Sequence, residues 1–477
     1  MKKYLALVLG VLFTLGFAAS AFAIHAEIPA ETQAVVAKGS TQITMGGELR
    51  FRGELRNNTD LDKASGASEN ADTTSFYDGN VRLRIQADVS KNTMGVIHLE
   101  TGTSAVQGYT WASTAGEGKG TYTSGNAKKG TMDILEAWIQ HKFNMGVPAG
   151  IKVGHMPLKL GDGLFFDHSK FGDDAIMVFL NPVKELHVAL LTAKLTEGTT
   201  NMADDADAYM ALVTYTSGKT SASADFTYID DSRNYISSAG TLTAQTANNK
   251  GLHLYNAGLR AATEVGGFGI KGDVELNGGS SESEANFTGL TDKTIKNKGY
   301  AYLVGVSYKL NPVKLSLDYA MGSGDSSSTD NKNNGFANAL SNVQKYTFVY
   351  DYRVATAQGS TNTGLTNTRY IKLGANGDIT KDLNVDLNLY LLSAVKKKSI
   401  TVGQAITTTG DLAGTASTKG DSKKVGRELD AKITYKLDKN LVYFVEGGYL
   451  WTGAFYDQAA QTADDAYAVR HGLTLSF

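Results

Sequence analysis

The 477-residue sequence contains no cysteine and only five prolines. Without cysteine the chain forms no disulfide, offers no thiolate to a metal and cannot attach haem through a Cys-x-x-Cys-His motif. No other motif in the sequence indicates a metal or a cofactor, and we expect neither. The scarcity of proline is compatible with long, continuous elements, because proline interrupts both helices and central strands.

Long hydrophobic runs and an excess of charge of one sign are also scarce. After residue 17 no apolar run is long enough to form a transmembrane helix. The 46 Lys and Arg residues nearly balance the 48 Asp and Glu residues, giving a net charge of −2, so nothing indicates a nucleic-acid partner. The mean hydropathy of −0.21 fits a soluble domain, but also a transmembrane barrel, in which only alternate residues face lipid.

Residues 1–23 have the features of a secretory signal peptide. A positive start is followed by an apolar run at 5–17 and by a small-x-small cleavage site formed by Ala21 and Ala23. An exported chain without disulfides needs another constraint on its ends, and closing a sheet into a barrel provides one. We predict that 24–40 form a short periplasmic extension, with an amphipathic helix as one option for its structure.

The mature sequence alternates between apolar and polar residues. Within the segment 42–57, the odd positions from 43 to 55 are apolar or glycine, and the even positions are mostly charged. A period of two is that of a β-strand with one apolar face. Further segments repeat this pattern, and they are separated alternately by short turns and by long polar loops. Such asymmetry is typical of outer-membrane barrels, which have short periplasmic turns and longer external loops.

The sequence therefore predicts an all-β fold: residues 41–477 form a single antiparallel up-and-down barrel of about 18 strands, with 16 and 20 as alternatives. Aromatic residues on the outward positions predict the interfacial girdles of such a barrel. Tyr346, Phe348, Tyr350 and Tyr352 alternate in the same way. An additional strand here would break the even count, so we place 344–353 in an extracellular hairpin or an infolded loop.

The C-terminal residues match the assembly signal of outer-membrane barrels. Arg470 is followed by Gly472, and apolar Leu475 precedes the terminal aromatic Phe477. The insertion machinery must hold the last strand before it closes against the first. We therefore expect the barrel-assembly machinery to recognise these residues.

Two segments resemble the alginate-export type of outer-membrane barrel. They are Glu136-Ala137-Trp138-Ile139 and the stretch at 153–164 that begins Val153-Gly154-His155. In that family an acidic-aromatic strand precedes a Val-Gly-Arg-x-x-Leu-x-x-Gly-Asp-like segment, and His155 stands where the arginine usually is. The resemblance implies an 18-strand barrel and leaves the solute open.

The strongest functional candidate is a cluster of charges on the inward faces of neighbouring strands. Opposed arginines and carboxylates would create a field across a pore and tune its selectivity. Alternatively, they pair across strands and stiffen the wall. The predicted lumen residues are Glu48, Arg50, Arg52, Glu54, Arg56, Arg82, Arg84, Asp88, Glu100 and Glu136.

These features predict a Gram-negative outer-membrane porin through which small polar or charged solutes diffuse passively. Its expected partners are outer-membrane lipid, lipopolysaccharide and the solutes themselves. One alternative is a sleeve around a multihaem cytochrome, which would bring its own haem. A second is an outer-membrane hydrolase that uses Asp167, His168, Asp173 and Asp174. The porin interpretation needs no catalytic residue, and we predict that the protein is not an enzyme.

Overall fold

The fold is seen in a computed structural model, which describes residues 34–38, 41–59, 61, 73–103, 106–110, 131–144, 146–198, 205–232, 251–283, 293–326, 331–340, 346–356, 359–360, 364–397, 422–457 and 462–477. These residues contain 18 long strands and several short ones. None of the described residues belongs to a helix that is long and apolar enough to cross a membrane.

The long strands occur in the order predicted from the alternation. They are β1 (Thr41–Asn57), β2 (Thr73–Asp88), β3 (Thr93–Thr103), β4 (Thr131–Asn144), β5 (Pro148–Met156), β6 (Asp173–Val183), β7 (Leu186–Thr196), β8 (Ala206–Ser217), β9 (Thr220–Asp231), β10 (Leu252–Val265), β11 (Phe268–Ser283), β12 (Tyr300–Leu310), β13 (Val313–Gly322), β14 (Thr368–Asp378), β15 (Leu383–Ala394), β16 (Lys424–Asp438), β17 (Leu441–Thr452) and β18 (Ala466–Ser476).

Each long strand pairs antiparallel with the next, and β18 pairs with β1. The closing register runs from Glu48 opposite Ser476 to Asn57 opposite Tyr467. Closure gives every central strand two neighbours, which satisfies the backbone hydrogen bonds that lipid cannot. The predicted closed antiparallel barrel is confirmed with 18 strands, rather than 16 or 20.

The two ends of the barrel differ. At one end, connections such as 184–185 and 311–312 contain four residues or fewer, whereas at the other end every connection has at least nine. The outer surface is apolar: on β6, Ile176 and Val178 are exposed, while Met177 between them is buried. Short turns, long loops and an apolar outer belt are the features of an outer-membrane barrel.

The long connections also supply material to the inside of the barrel. In 157–172, the side chains of Leu158, Phe165 and Phe166 are almost completely buried. Ala339–Leu340 pairs parallel with Phe166–Asp167. These infolded segments and the apolar inner face of β6 to β8 form a hydrophobic core within the barrel.

Two sequence expectations need correction. The rings of Phe348 and Tyr350 are 4% and 5% exposed and lie among the infolded segments, not in lipid. The option of an infolded loop for this segment is confirmed, because its backbone bonds to the inner wall instead of to a neighbouring strand. Residues 34–38 form a strand paired with the start of β1, so the helix proposed for the extension is wrong there.

The barrel seam makes a testable prediction at Gly47. The N–H of Gly47 donates to the carbonyl O of Phe477 at 2.7 Å, and the N–H of Phe477 donates back at 3.0 Å. A Cβ at Gly47 would lie 2.7 Å from both Phe477 Cζ and the carbonyl O of Arg82. Overpacking typically costs about 1–3 kcal/mol. Gly47→Ala should therefore lower the unfolding temperature of the barrel on heat-modifiability gels.

Gly95→Ala is the matched control. A Cβ there would meet no atom closer than the carbonyl O of Trp138 at 3.7 Å, so the unfolding temperature should not fall. Deletion of Phe477 removes both seam bonds and the ring, and should reduce the amount of inserted barrel more than Gly47→Ala does. Equal stability of the two glycine variants would refute this account of the seam.

Candidate functional site: a narrowed lumen

The charges predicted on β1 and β2 lie on the inner wall, and several of them form ion pairs across strands. Arg52 donates two hydrogen bonds to the Asp78 carboxylate, at 2.9 and 2.7 Å. Arg82 Nε donates to Glu100 at 2.5 Å, and Arg82 Nη1 lies 3.7 Å from Glu48. Of the two roles considered for this cluster, the geometry favours cross-strand pairing.

Glu136 is the centre of the same network on β4. Its carboxylate lies 3.8 Å from Arg84 Nε and 3.1 Å from His98 Nδ1, and accepts a hydrogen bond from Trp138 Nε1 at 2.8 Å. Lys152 of β5 places its ammonium 3.9 Å from the centre of the Trp138 ring. The acidic and the aromatic residue of the segment quoted for the family resemblance, Glu136 and Trp138, are thus buried in the wall, whereas Ile139 is exposed on the outer surface.

The remaining predicted lumen residues differ in their contacts. Glu54 is 5% exposed and accepts a hydrogen bond from Arg56. Asp88 accepts a hydrogen bond from the Gln86 amide at 3.1 Å near the short-turn end. Arg50 has no ion-pair partner among the residues described. The pore-lining role of the whole set stays a prediction.

A tight turn at 346–354 narrows the lumen, and carboxylates of β16 hold it. The N–H groups of Val349 and Tyr350 donate to the two oxygens of Glu428, at 2.5 and 2.8 Å. The N–H of Phe348 donates to Asp430 at 3.0 Å. Because free N–H groups of a turn attract negative charge, two wall carboxylates fix this segment inside the barrel.

Cations hold the opposite side of the same turn. Arg353 Nε donates to Glu54 of β1 at 2.6 Å, and its guanidinium lies 3.5 Å from the centre of the Phe348 ring. Arg470 lies 5.2 Å from that ring and pairs with Glu446. Burial would raise the pKa of the Tyr352 phenol, but Lys170, Arg470 and Arg353 lower it below its ordinary value. The electrostatic potential around the Tyr352 hydroxyl is therefore positive.

A buried charge cluster supports the other infolded segment. Arg260 of β10 is 3% exposed and contacts the carboxylates of Asp225, Asp273 and Glu275. The N–H of Asp162 donates to Asp273 at 3.2 Å. Asp273 lies only a few residues above the short turn before β11, so the segment at 157–172 reaches deep into the barrel.

Gly161 makes this approach feasible. Its φ is +50°, a conformation that side chains disfavour. A Cβ there would overlap the Arg260 guanidinium, so the backbone of the segment lies directly against the charged wall.

Three cavities follow the inner wall from β10 to β15. The first, of about 240 Å³, lies beside the infolded segments. The second, of about 430 Å³, shares Lys271, Asp318 and Lys372 with it. The third, of about 310 Å³, shares Lys314 with the second and reaches the short turn at Pro312. Because neighbouring cavities share lining residues, the three together extend along the inner wall from the infolded segments to the short-turn end.

Sequence reasoning did not single out Arg260 or Lys372. Both occupy inward positions of alternating strands, since their neighbours Leu259 and Ile371 are exposed on the outer surface. The alternation could have identified them. The contacts that Asp162 of the infolded segment makes with Asp273 and Lys271 could not be found from strand periodicity.

The other sequence candidates are also located. Gly472 and Leu475 lie on β18, where Gly472 leaves room for the Phe444 ring. His168 Nδ1 lies 2.8 Å from Asp173 in the infolded segment. The cleavage residues Ala21 and Ala23 lie outside the described residues, and the assembly role of the C-terminal set stays a prediction.

Comparison with solved structures gives porins of the same fold. OccK9 (OpdG) from Pseudomonas aeruginosa is 13% identical, with a TM-score of 0.53 over 91% of this chain and 98% of that chain. A BenF-like porin from Pseudomonas fluorescens Pf-5 is 10% identical, with the same TM-score and coverage. OpdK from Pseudomonas aeruginosa, crystallised with vanillate, is 11% identical, with a TM-score of 0.50 over 91% and 98%.

These likenesses establish the fold. Comparison with curated protein sequences gives no match. A family model described as alginate export matches residues 41–469, which is nearly the whole barrel. The chain therefore belongs to the alginate export family.

Proposed function

We propose that the protein is an outer-membrane porin through which small polar solutes diffuse passively. The observation that carries this proposal is the series of cavities along β10 to β15. They adjoin one another through shared residues, and the last reaches the short-turn end of the barrel. A polar route inside a closed barrel with an apolar exterior is what a water-filled channel requires.

The lining favours small solutes without a strong preference for one sign of charge. Lysines and carboxylates are interspersed along the route. Lys271 and Lys372 lie near Asp318, and both Lys314 and Asp386 line the second cavity. Most arginines of the β1 to β4 wall are already paired. The net electric field along the route is therefore weak. The infolded segments restrict the size of the solutes that can pass, whereas the lining selects little between solutes of different charge.

The family name suggests a second candidate, the export of alginate, a polyanionic polysaccharide. A long polyanion needs a wide and continuously positive passage, whereas this lumen contains infolded segments and balanced charges. His155 stands where the family usually has arginine, and its ring contacts Asp174 at 3.0 Å and the carbonyl O of Phe171 at 2.8 Å. These observations favour the small-solute porin.

The same observations bear on the two other hypotheses. The infolded segments occupy space that a cytochrome inside a sleeve would need, which argues against that function. His168 and Asp173 contact each other beside the end of β5, and the neighbouring Ser169 hydroxyl donates to Asp167 and not to His168, so the three do not form a relay that would activate the serine. A channel without catalytic activity accounts for the arrangement more simply.

The size limit can be tested by swelling of proteoliposomes. The wild-type protein should admit the monosaccharide arabinose much faster than the trisaccharide raffinose. In Glu428→Gln, one amide oxygen must serve the two N–H groups of Val349 and Tyr350. An unsatisfied donor costs about 1–3 kcal/mol, so the turn should loosen and the raffinose-to-arabinose ratio should rise at least twofold.

Asp438→Asn is the control for this experiment. Asp438 accepts a hydrogen bond from the backbone N–H of Lys439 in a short turn far from the constriction. Loss of its charge should therefore leave the raffinose-to-arabinose ratio unchanged. Entry of raffinose as fast as arabinose in the wild type would contradict the small-solute porin and favour polymer export. No swelling with either sugar would refute the channel itself.

Ion selectivity tests the route. Lys309 and Lys314 face each other across β12 and β13 on the inner wall of the third cavity. Lys309→Gln/Lys314→Gln removes two positive charges from a confined path, so the reversal potential in a salt gradient should move toward cation preference. The control is Lys91→Gln/Lys381→Gln, which changes exposed turn lysines. An equal shift in both pairs would place the ion path elsewhere.

A further inference from the structure

Four charged side chains converge on the first cavity without saturating one another. Lys271 Nζ lies 3.9 Å from Asp162 Oδ2 and 4.0 Å from Asp318 Oδ2. Lys372 Nζ lies 3.9 Å from the same Asp318 oxygen. These separations exceed the usual hydrogen-bond range of about 2.7–3.2 Å. Donors and acceptors are thus left for a molecule in the cavity.

The backbone is shaped to leave this cluster room. A Cβ at Gly305 would lie 2.7 Å from Lys271 Cε and would also collide with the Asp318 carboxylate. Gly163 and Gly364, both with positive φ, form part of the cavity edge. A side chain at Gly305 would therefore push apart the lysine and the aspartate that define the polar half of the cavity.

Three tyrosines form the other half of the cavity. Tyr346 stacks on Tyr370 with ring centres 5.0 Å apart, and Tyr390 meets Tyr370 edge-on at 5.6 Å. The Tyr390 hydroxyl donates to the carbonyl O of Tyr346 at 2.6 Å, which holds the wall of β15 against the infolded turn. The rings provide a rigid apolar surface beside the four charges, and an aromatic face also attracts an ammonium group.

Charge balance decides which ligand fits. The cavity contains two lysines and two aspartates, so its lining is neutral as a whole. A simple anion or cation would bring one unbalanced charge into a partly buried site, which is unfavourable. A ligand with one carboxylate and one ammonium keeps the site neutral, and each of its charged groups meets a partner of opposite sign.

We propose that this cavity binds a small zwitterion, with its carboxylate toward Lys271 and Lys372 and its ammonium toward Asp162 and Asp318. The apolar part of the ligand packs on the tyrosines. The cavity of about 240 Å³ is smaller than the roughly 300–1,000 Å³ of pockets for drug-sized ligands, so the ligand is of amino-acid size. The inference rests on the proposed function, because the lumen is the path by which such a solute reaches the site.

Equilibrium binding to the detergent-solubilised, folded barrel tests this site. The probes are phenylalanine, 3-phenylpropionate, which lacks the ammonium, and phenethylamine, which lacks the carboxylate. In calorimetric titrations phenylalanine should bind at least tenfold more tightly than either analogue. Equal affinities for the three probes, or no binding of phenylalanine, would overturn the proposal on the wild-type protein alone.

Variants assign the binding to this cavity. Lys271→Gln/Lys372→Gln should weaken phenylalanine binding at least tenfold, while Lys91→Gln/Lys381→Gln should bind as the wild type does. Phenylalanine binding that survives the first pair of substitutions unchanged would place the ligand elsewhere and overturn the proposal.

Single-channel conductance separates this inference from the proposed function. A conducting barrel without preference for the zwitterion would refute the site and leave the porin intact. A barrel that binds phenylalanine but conducts no ions would refute the porin and leave the site intact.

Discussion

The constraint on which the structure depends is that lipid offers no hydrogen-bond partner to the polypeptide backbone. Every N–H and C=O of a membrane-spanning strand must therefore pair with a neighbouring strand, and a sheet satisfies this condition only by closing. In this chain the closure is the pairing of β18 with β1, which ends with the reciprocal bonds between Phe477 and Gly47. Residues 34–38 pair with residues 41–45 at the start of β1, the part of that strand that β18 does not reach.

Closure determines what the inside can be. An 18-strand barrel encloses more space than its own inner side chains fill, and this chain fills part of that space with segments from its long connections. Such segments carry backbone N–H groups that need partners once they leave water. Glu428, Asp430 and Asp273 on the wall provide acceptors for them. The acidic wall residues thus anchor the constriction, and the remaining space lies along β10 to β15.

The alternation in the sequence predicted the closed barrel, a count of about 18 strands and the inward side of β1 and β2, because period two reports directly on lipid and lumen faces. It also found the charged wall of β1 to β4. It misassigned the rings at 346–352, because aromatic residues at alternate positions look the same in a girdle strand and in a buried turn. The distinguishing contacts, to Glu428 and Asp430, lie about 80 residues away and leave no local pattern. For the same reason the sequence could not reveal the cavity between Lys271, Lys372 and Asp162.

The central claim is that water fills the route along the inner wall of β10 to β15. Because the natural chain has no cysteine, single substitutions can report on it directly. Ser316→Cys lies on the wall of the second cavity, and the adjacent Leu317→Cys faces lipid. The account predicts that a water-soluble, charged methanethiosulfonate reagent modifies Ser316→Cys at least tenfold faster than Leu317→Cys in proteoliposomes and lowers the ion current as it does so. Equal, slow modification of both positions would contradict it.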